Sequence, residues 1–321
     1  MSVTITPKYP EEFYLDFRSF DRFIYRVSDL YSLDENLSNE ILVRLDKCHI
    51  YLLGKRPRLS LVANSIQTTD DLVRFQVEYR LKGTTEKADV ELPRKMFSPE
   101  EVIFEVSPYP HREIITRNTK GDVMAITLLA NFVHLMSGVS RQAKDLDVVY
   151  VGKGLHHSAQ DRLEHHSTLQ KILAKINSNE PDMEVFALVY SFQYLKNLLV
   201  FKGIPTEITG DVAKERRDKA IAYKPSLDEQ VALIEASIIS YFQPSIFNSQ
   251  FLNFPDRRQK ILSEVYNADF AAIVVQLDNT NIGGQRFYSQ NVPPESTHYI
   301  IVDFRQIEGK HSLFKQYMAS R

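Results

Sequence analysis

The sequence predicts an α+β protein: a small sheet flanked by helices in the middle of the chain, a β-rich module before it and more strands after it. Three observations lead there. The segments PRLSLVANS, LVRFQVEYRL, ADVELP and EVIFEV alternate in polarity through the first third of the chain. A β-branched run that breaks at glycines, DVVYVGKG, passes into a helical pattern. Near the end, FAAIVVQLD and HYIIVDF are apolar runs of strand length. These patterns divide the chain into an α+β module at 1–120 with no chemical signature, a middle region at 121–255, and a β segment at 256–321 that would pack on the first module.

In the first module KGTTEK and SPYP supply turn chemistry, and LSNEILVRLDK reads as a helix with Ser38 as its cap, two residues before Glu40. DVMAITLLANFVHLMSG scans as a helix ending at Gly138, although LLANFVHLM would also serve as a strand. DVVYV is a strand that GKG ends, and Ser158 with Asp161 starts a helix that continues through Leu169, Ile172, Leu173 and Ile176. Further on, Ser226 and Glu229 form a capping box for PSLDEQVALIEASIISYFQ. Leu227, Val231, Ile234, Ile238 and Tyr241 are its apolar stripe, with Glu235 at the edge. Pro244 cannot continue the helix, and Asn248 is placed to bond back and hold the turn.

Composition narrows the function classes. With 321 residues and 43% apolar content, the chain can bury real cores. One cysteine, Cys48, precludes an internal disulfide and reads as a buried thiol. MSVTITPKYPEEF lacks the layout of a signal peptide, and no run reaches the roughly twenty apolar residues of a membrane span, so a soluble cytoplasmic protein without membrane contact is expected. A net charge of −2 excludes a polycation that wraps nucleic acid, yet allows an enzyme that meets it along one basic surface.

The chemistry concentrates in DVVYVGKGLHHSAQDRLEHH. A P-loop is absent, because Leu155 follows Gly154 and no glycine stands at the required upstream position. The adjacent histidine pairs, without neighbouring cysteines, lack the spacing of a closed zinc site. Arg162 in the first turn of its helix opposes the macrodipole, so it does not serve the helix. Four residues on, His166 shares its face, above the loop that holds Tyr150 and Lys153. That surface suits a phosphodiester, and a solvated basic face is the alternative. For Glu235, a carboxylate at the edge of an apolar stripe, the readings are an ion pair or a magnesium ligand.

VVYVGKG, then Arg162-Leu163-Glu164-His165-His166, then ALIEASIISYFQPSIFN resemble in order the second half of the GIY-YIG nuclease signature, in the YVGKG form of the branch with the LEM-domain nucleases. The resemblance covers the middle region alone. It implies a small GIY-YIG-like sheet and hydrolysis of a nucleic-acid phosphodiester with Mg²⁺, or Mn²⁺, held by Glu235. Arg162 would clamp the phosphate, Tyr150 with Lys153 would orient or deprotonate water, His166 would shuttle the proton, and Asn248 matches the family's late asparagine. No GIY tripeptide stands upstream of Tyr150; LLANFVHLM would supply that strand, with His134 near the place of its tyrosine. The insertion KERRDKAIAYKP offers Lys214, Arg216, Arg217, Lys219 and Lys224 to the nucleic-acid backbone. The expectation is a Mg²⁺-dependent endonuclease, on DNA in preference to RNA, in restriction or phage defence, for which a homodimer is one open assembly. The alternative is a degenerate module that binds nucleic acid or a protein partner without cleavage.

Overall fold

The computed structural model describes residues 7–32, 37–97, 102–154, 167–203, 205–244 and 247–304, and the fold is α+β. The strands are β1 (Glu11–Arg26), β2 (Ile50–Pro57), β3 (Ser60–Leu61), β4 (Gln67–Thr68), β5 (Leu72–Leu81), β6 (Thr84–Pro93), β7 (Ile103–Val106), β8 (Glu113–Arg117), β9 (Val123–Leu128), β10 (Leu146–Lys153), β11 (Met183–Val200), β12 (Ala272–Asp278), β13 (Phe287–Tyr288) and β14 (Thr297–Asp303). The helices are α1 (Asn39–Leu45), α2 (Leu129–Phe132), α3 (Arg141–Lys144), α4 (Ser167–Asn179), α5 (Gly210–Ala222), α6 (Leu227–Phe242) and α7 (Ser263–Asn267).

A seven-stranded mixed sheet in the order β13-β10-β2-β11-β1-β12-β14 organises the fold. β1 pairs with β12, and β10 with β13, in parallel; the other neighbours are antiparallel. Its two faces carry separate cores. On one, Phe13, Leu15, Ile50, Leu52 and Leu188 pack with Val231, Leu233, Ile234 and Ile238 of α6. On the other, Tyr51, Leu53, Ala187 and Val189 pack with Leu169, Ile172 and Ile176 of α4. Side chains of a strand alternate between faces, so the stretches covered on both, Ile50–Leu53 and Val185–Tyr190, are apolar and buried throughout.

Between β2 and β10 the chain builds two small sheets, β3–β6 and β7–β9, with a core of their own around Phe75, Val77, Phe132 and Val133. The boundaries expected from the sequence differ from this arrangement. Residue 120 falls in the β8–β9 hairpin, whose turn contains Gly121 at φ +90°. β1 and β2, assigned to the first module, lie in the same sheet as β10 and β11 of the middle region. β12 of the last segment pairs with β1, so that segment packs on the first module. Such pairings join residues far apart in sequence, which local alternation does not encode. LLANFVHLM is also corrected: it forms α2 and a 3₁₀ turn at Val133–Leu135, while VMAITL before it is β9. Among the described residues no helix is long and apolar enough to cross a membrane.

Candidate active site

The site begins with an irregularity in β10. Its register against β2 shifts between Val148, opposite Gly54, and Tyr150, opposite Leu53, so Val149 is an extra residue, a β-bulge. Strict alternation from Val148 would turn Tyr150 toward α6 and Lys153 away from it. After the bulge, Tyr150 shares the face of Leu53 and Tyr51, while Val151 shares that of Leu52 under α6. Tyr150 and Tyr51 become diagonal neighbours, with ring centroids 6.0 Å apart and planes inclined at 37°. Gly152 lies directly opposite Tyr51. A Cβ there would collide with Cζ and Oη of Tyr51 and stand 2.9 Å from Cε1 of Tyr150. The close approach of the phenol therefore requires glycine.

The same bulge turns Lys153 toward α6, where its Nζ meets Glu235 Oε2 at 2.7 Å. Ser226 and Glu229 form the full capping box that starts this helix, and Gln243, in the left-handed region at φ 46°, ends it. Between them the helix is buried on nearly every side, beyond the single stripe that its periodicity suggests, and Glu235 is the acid among those apolar positions. Its side chain is 12% exposed, against 27% for Lys153. Burial pushes the Glu235 pKa above the ordinary 4.5, and the hydrogen bond and charge of Lys153 pull it partly back. The ion pair and the metal ligand are not exclusive roles. Among the described residues no three His, Cys, Asp or Glu side chains cluster as a metal cage. A hard divalent ion held by one carboxylate, waters and phosphate oxygens needs no such cage, and Glu235 fits that donor set.

Asn248 acts on the strand rather than on its own turn. Its Oδ1 accepts from Val151 N at 3.0 Å and its Nδ2 donates to Val151 O at 2.9 Å. β13 covers β10 only at Leu146 and Asp147, so this side chain takes the place of a neighbouring strand farther along the edge. At the end of β10, Gly154 N donates to His49 O at 2.9 Å, and His49 Nδ1 lies 3.0 Å from Gly154 O. A carbonyl only accepts, so Nδ1 carries the hydrogen in that bond. His49, Ile50 and Tyr51 thus run antiparallel to Gly152, Lys153 and Gly154.

Around the second half of β10, Lys153 meets Glu235 on the α6 face, Tyr150 meets Tyr51 on the opposite face, and Asn248 holds the edge between them. Arg162 and His166 lie outside the described residues, as do His156, His157 and His165. His134 is corrected: it sits in the 3₁₀ turn after α2, its ring against Gly283, and it shares a small cavity with Lys144, Asp145 and Arg286. That is the Leu146 end of β10, away from Lys153. Burial, with Arg56 and Lys144 nearby, lowers the His134 pKa. Cys48 is fully buried, and burial pushes its thiol up to about 12.

The basic face divides. Arg216 is corrected: it is buried, bonded to Glu12 Oε2 at 3.2 Å, Glu11 O at 2.7 Å and Asp269 O at 2.6 Å, and stacked over Tyr9 and Phe13. Lys219 pairs with Glu215 at 2.9 Å, and Arg217 stands 3.8 Å from both Glu11 and Asp218. Lys214 and Lys224 are exposed.

Sequence reasoning missed Tyr51 and His49. Their signal was present in HIYLLGK, an apolar run with a tyrosine, but the long insertion before β10 directed the search to the stretch nearest Tyr150. A scan against protein-family models, a search of curated proteins and a search of solved structures each find no match to this chain, so the site is characterised by its own geometry.

Proposed function

We propose that the protein is a Mg²⁺-dependent endonuclease of the GIY-YIG type that hydrolyses nucleic-acid phosphodiester bonds, DNA in preference to RNA. One observation carries the reading: a single bulge in β10 turns Lys153 to the buried Glu235 of α6 and sends Tyr150 to the opposite face beside Tyr51. A lysine paired with a largely buried carboxylate at the end of the YVGKG strand suits phosphoryl chemistry. Tyr51 on β2 takes the place that the sequence gave to His134, and HIY stands where the resemblance requires GIY.

Glu235 would hold Mg²⁺, which when bound supplies charge stabilisation for the leaving oxygen. Tyr150 packs with the buried Tyr51 on the face of β10 opposite Glu235, so this pair supports the strand rather than taking the proton of the attacking water. Lys153 neutralises Glu235 before substrate arrives, and would turn from it to a non-bridging phosphate oxygen once the carboxylate holds the ion. Asn248 positions β10 without meeting substrate. Arg162 clamps the phosphate and His166 relays the proton. Lys214 and Lys224 add affinity for the backbone without choosing sequence. A place in restriction or phage defence, a homodimer that cuts both strands and a cytoplasmic location accompany this reading by analogy.

The test is incubation of the purified chain with plasmid DNA and with RNA, in Mg²⁺ or in EDTA. Cutting is expected in Mg²⁺ alone, and Glu235→Ala and Arg162→Ala are each expected to lower it by about 100-fold or more with an unchanged circular dichroism spectrum. Variants that cut as fast as the parent would overturn the site. Tight binding without any cutting would mark a non-catalytic module.

A further inference from the structure

On the α6 side of the main sheet lies a cavity of about 450 Å³, walled in part by Leu227, Gln230, Val231 and Ile234. Ile234, the residue before Glu235, forms part of one wall, and His49, which is bonded to Gly154, forms part of another. Ile50, which also lines it, is paired with Lys153 across β2 and β10, so the cavity is one strand away from the lysine. Phe20 and Phe192 line it as well. Phe20 owes its position to a second irregularity: the β1–β11 register shifts between Ser19, opposite Phe192, and Arg22, opposite Tyr190, so Phe20 and Asp21 face Ser191 alone. At that bulge Phe20 is 67% exposed. An exposed phenylalanine by itself is ordinary. One that a bulge turns into a cavity next to a candidate active site has a different setting.

Resting on the nuclease reading above, we propose that this cavity receives a nucleobase turned out of its helical stack next to the scissile phosphate. Phe20 and Phe192 offer apolar ring faces, on which any base can stack. Gln230, on α6 within the cavity wall, spends its Nε2 on Pro225 O at 3.0 Å and keeps an amide oxygen for the amino group of a base. Lys47, exposed among the lining residues, suits a flanking phosphate. The acid in the wall, Asp21, does not repel a polyanion: Arg44 Nε bonds it at 2.7 Å and the Ser191 hydroxyl at 3.2 Å. Turning out a base costs least where that base is unpaired, so the cavity makes the protein selective for duplexes that contain one.

The experiment measures binding by fluorescence anisotropy in EDTA, using a short labelled duplex that is fully paired and the same duplex with a single unpaired adenine. The parent is expected to bind the second about 10-fold more tightly, as the loss of one stacked base would imply. Phe20→Ala and the volume-sparing Phe192→Leu are expected to bring that ratio to within about twofold, with an unchanged circular dichroism spectrum. A parent without the preference, or a preference that survives both substitutions, overturns the proposal. Cleavage in Mg²⁺ separates it from the reading beneath it. A parent that cuts but shows no preference overturns the base pocket alone, whereas a Phe20-dependent preference without cutting supports the pocket and overturns the nuclease.

Discussion

Among single residues, Gly152 is constrained by what lies opposite it. The phenol of Tyr51 occupies the space of a Cβ, and the neighbouring ring of Tyr150 leaves it nowhere to shift. Gly152→Ala is therefore expected to cost about 1–3 kcal/mol through overpacking and to lower cleavage further by displacing Tyr51; urea unfolding and plasmid assays of the same preparation would measure both. Two buried histidines contribute to the acid response. Burial lowers the pKa of His134 and His298 below the ordinary 6.5, and His298 also accepts or donates a bond with Tyr241 Oη at 3.1 Å and stacks on Phe287. The unfolded chain takes up protons near pH 6.5 that the folded chain resists. Their contribution to stability is thus complete above that pH and is lost as pH falls through the lower folded values. The urea midpoint is expected to be level from pH 7 to 8 and to decline toward pH 5.5, with a shallower decline in His298→Phe; equal slopes would exclude His298 as a source.

At the scale of elements, β10 is shaped by two devices that no propensity encodes. The bulge at Val149 decides which face each later residue serves, and Asn248 supplies the backbone partners that β13 is too short to provide. Asn248→Ala is expected to destabilise by about 1–3 kcal/mol by stranding the N–H and C=O of Val151. If its role is positional, kcat should fall more than KM rises, and amide exchange at Val151 should quicken. Unchanged exchange would show that the edge holds without it. The ends of α6, in contrast, were readable: Ser226 and Glu229 form the capping box that their spacing implies. Ser38 stands at the N-cap of α1 but makes no side-chain cap bond there.

For the whole molecule, Arg216 ties three distant parts of the chain together. From α5 it bonds the backbone of Glu11, the carboxylate of Glu12 at the start of β1, and the carbonyl of Asp269 before β12. Arg216→Ala is expected to cost about 3–5 kcal/mol, because it leaves the buried Glu12 carboxylate without this partner. Lys214→Glu with Lys224→Glu is expected to leave the thermal midpoint unchanged while weakening nucleic-acid binding and flattening its salt dependence. Were the two sets of variants to behave alike, the division of the basic face into a structural and a surface part would be wrong.

The sequence by itself determined the local matters: the α+β class, the strand ending in YVGKG, the capped helix that carries Glu235, and the buried cysteine. Each depends on a period, a cap or a turn residue within about ten positions. Only the tertiary structure decided that Tyr51 stands beside Tyr150 across a long insertion, that Arg216 is buried and His134 lies at the wrong end of the strand, and that one extra residue in β10 brings Lys153 to Glu235. The physical reason is that a sheet joins strands without regard to their separation in the chain, and a register shift of one residue, invisible in hydrophobic pattern, exchanges the two faces.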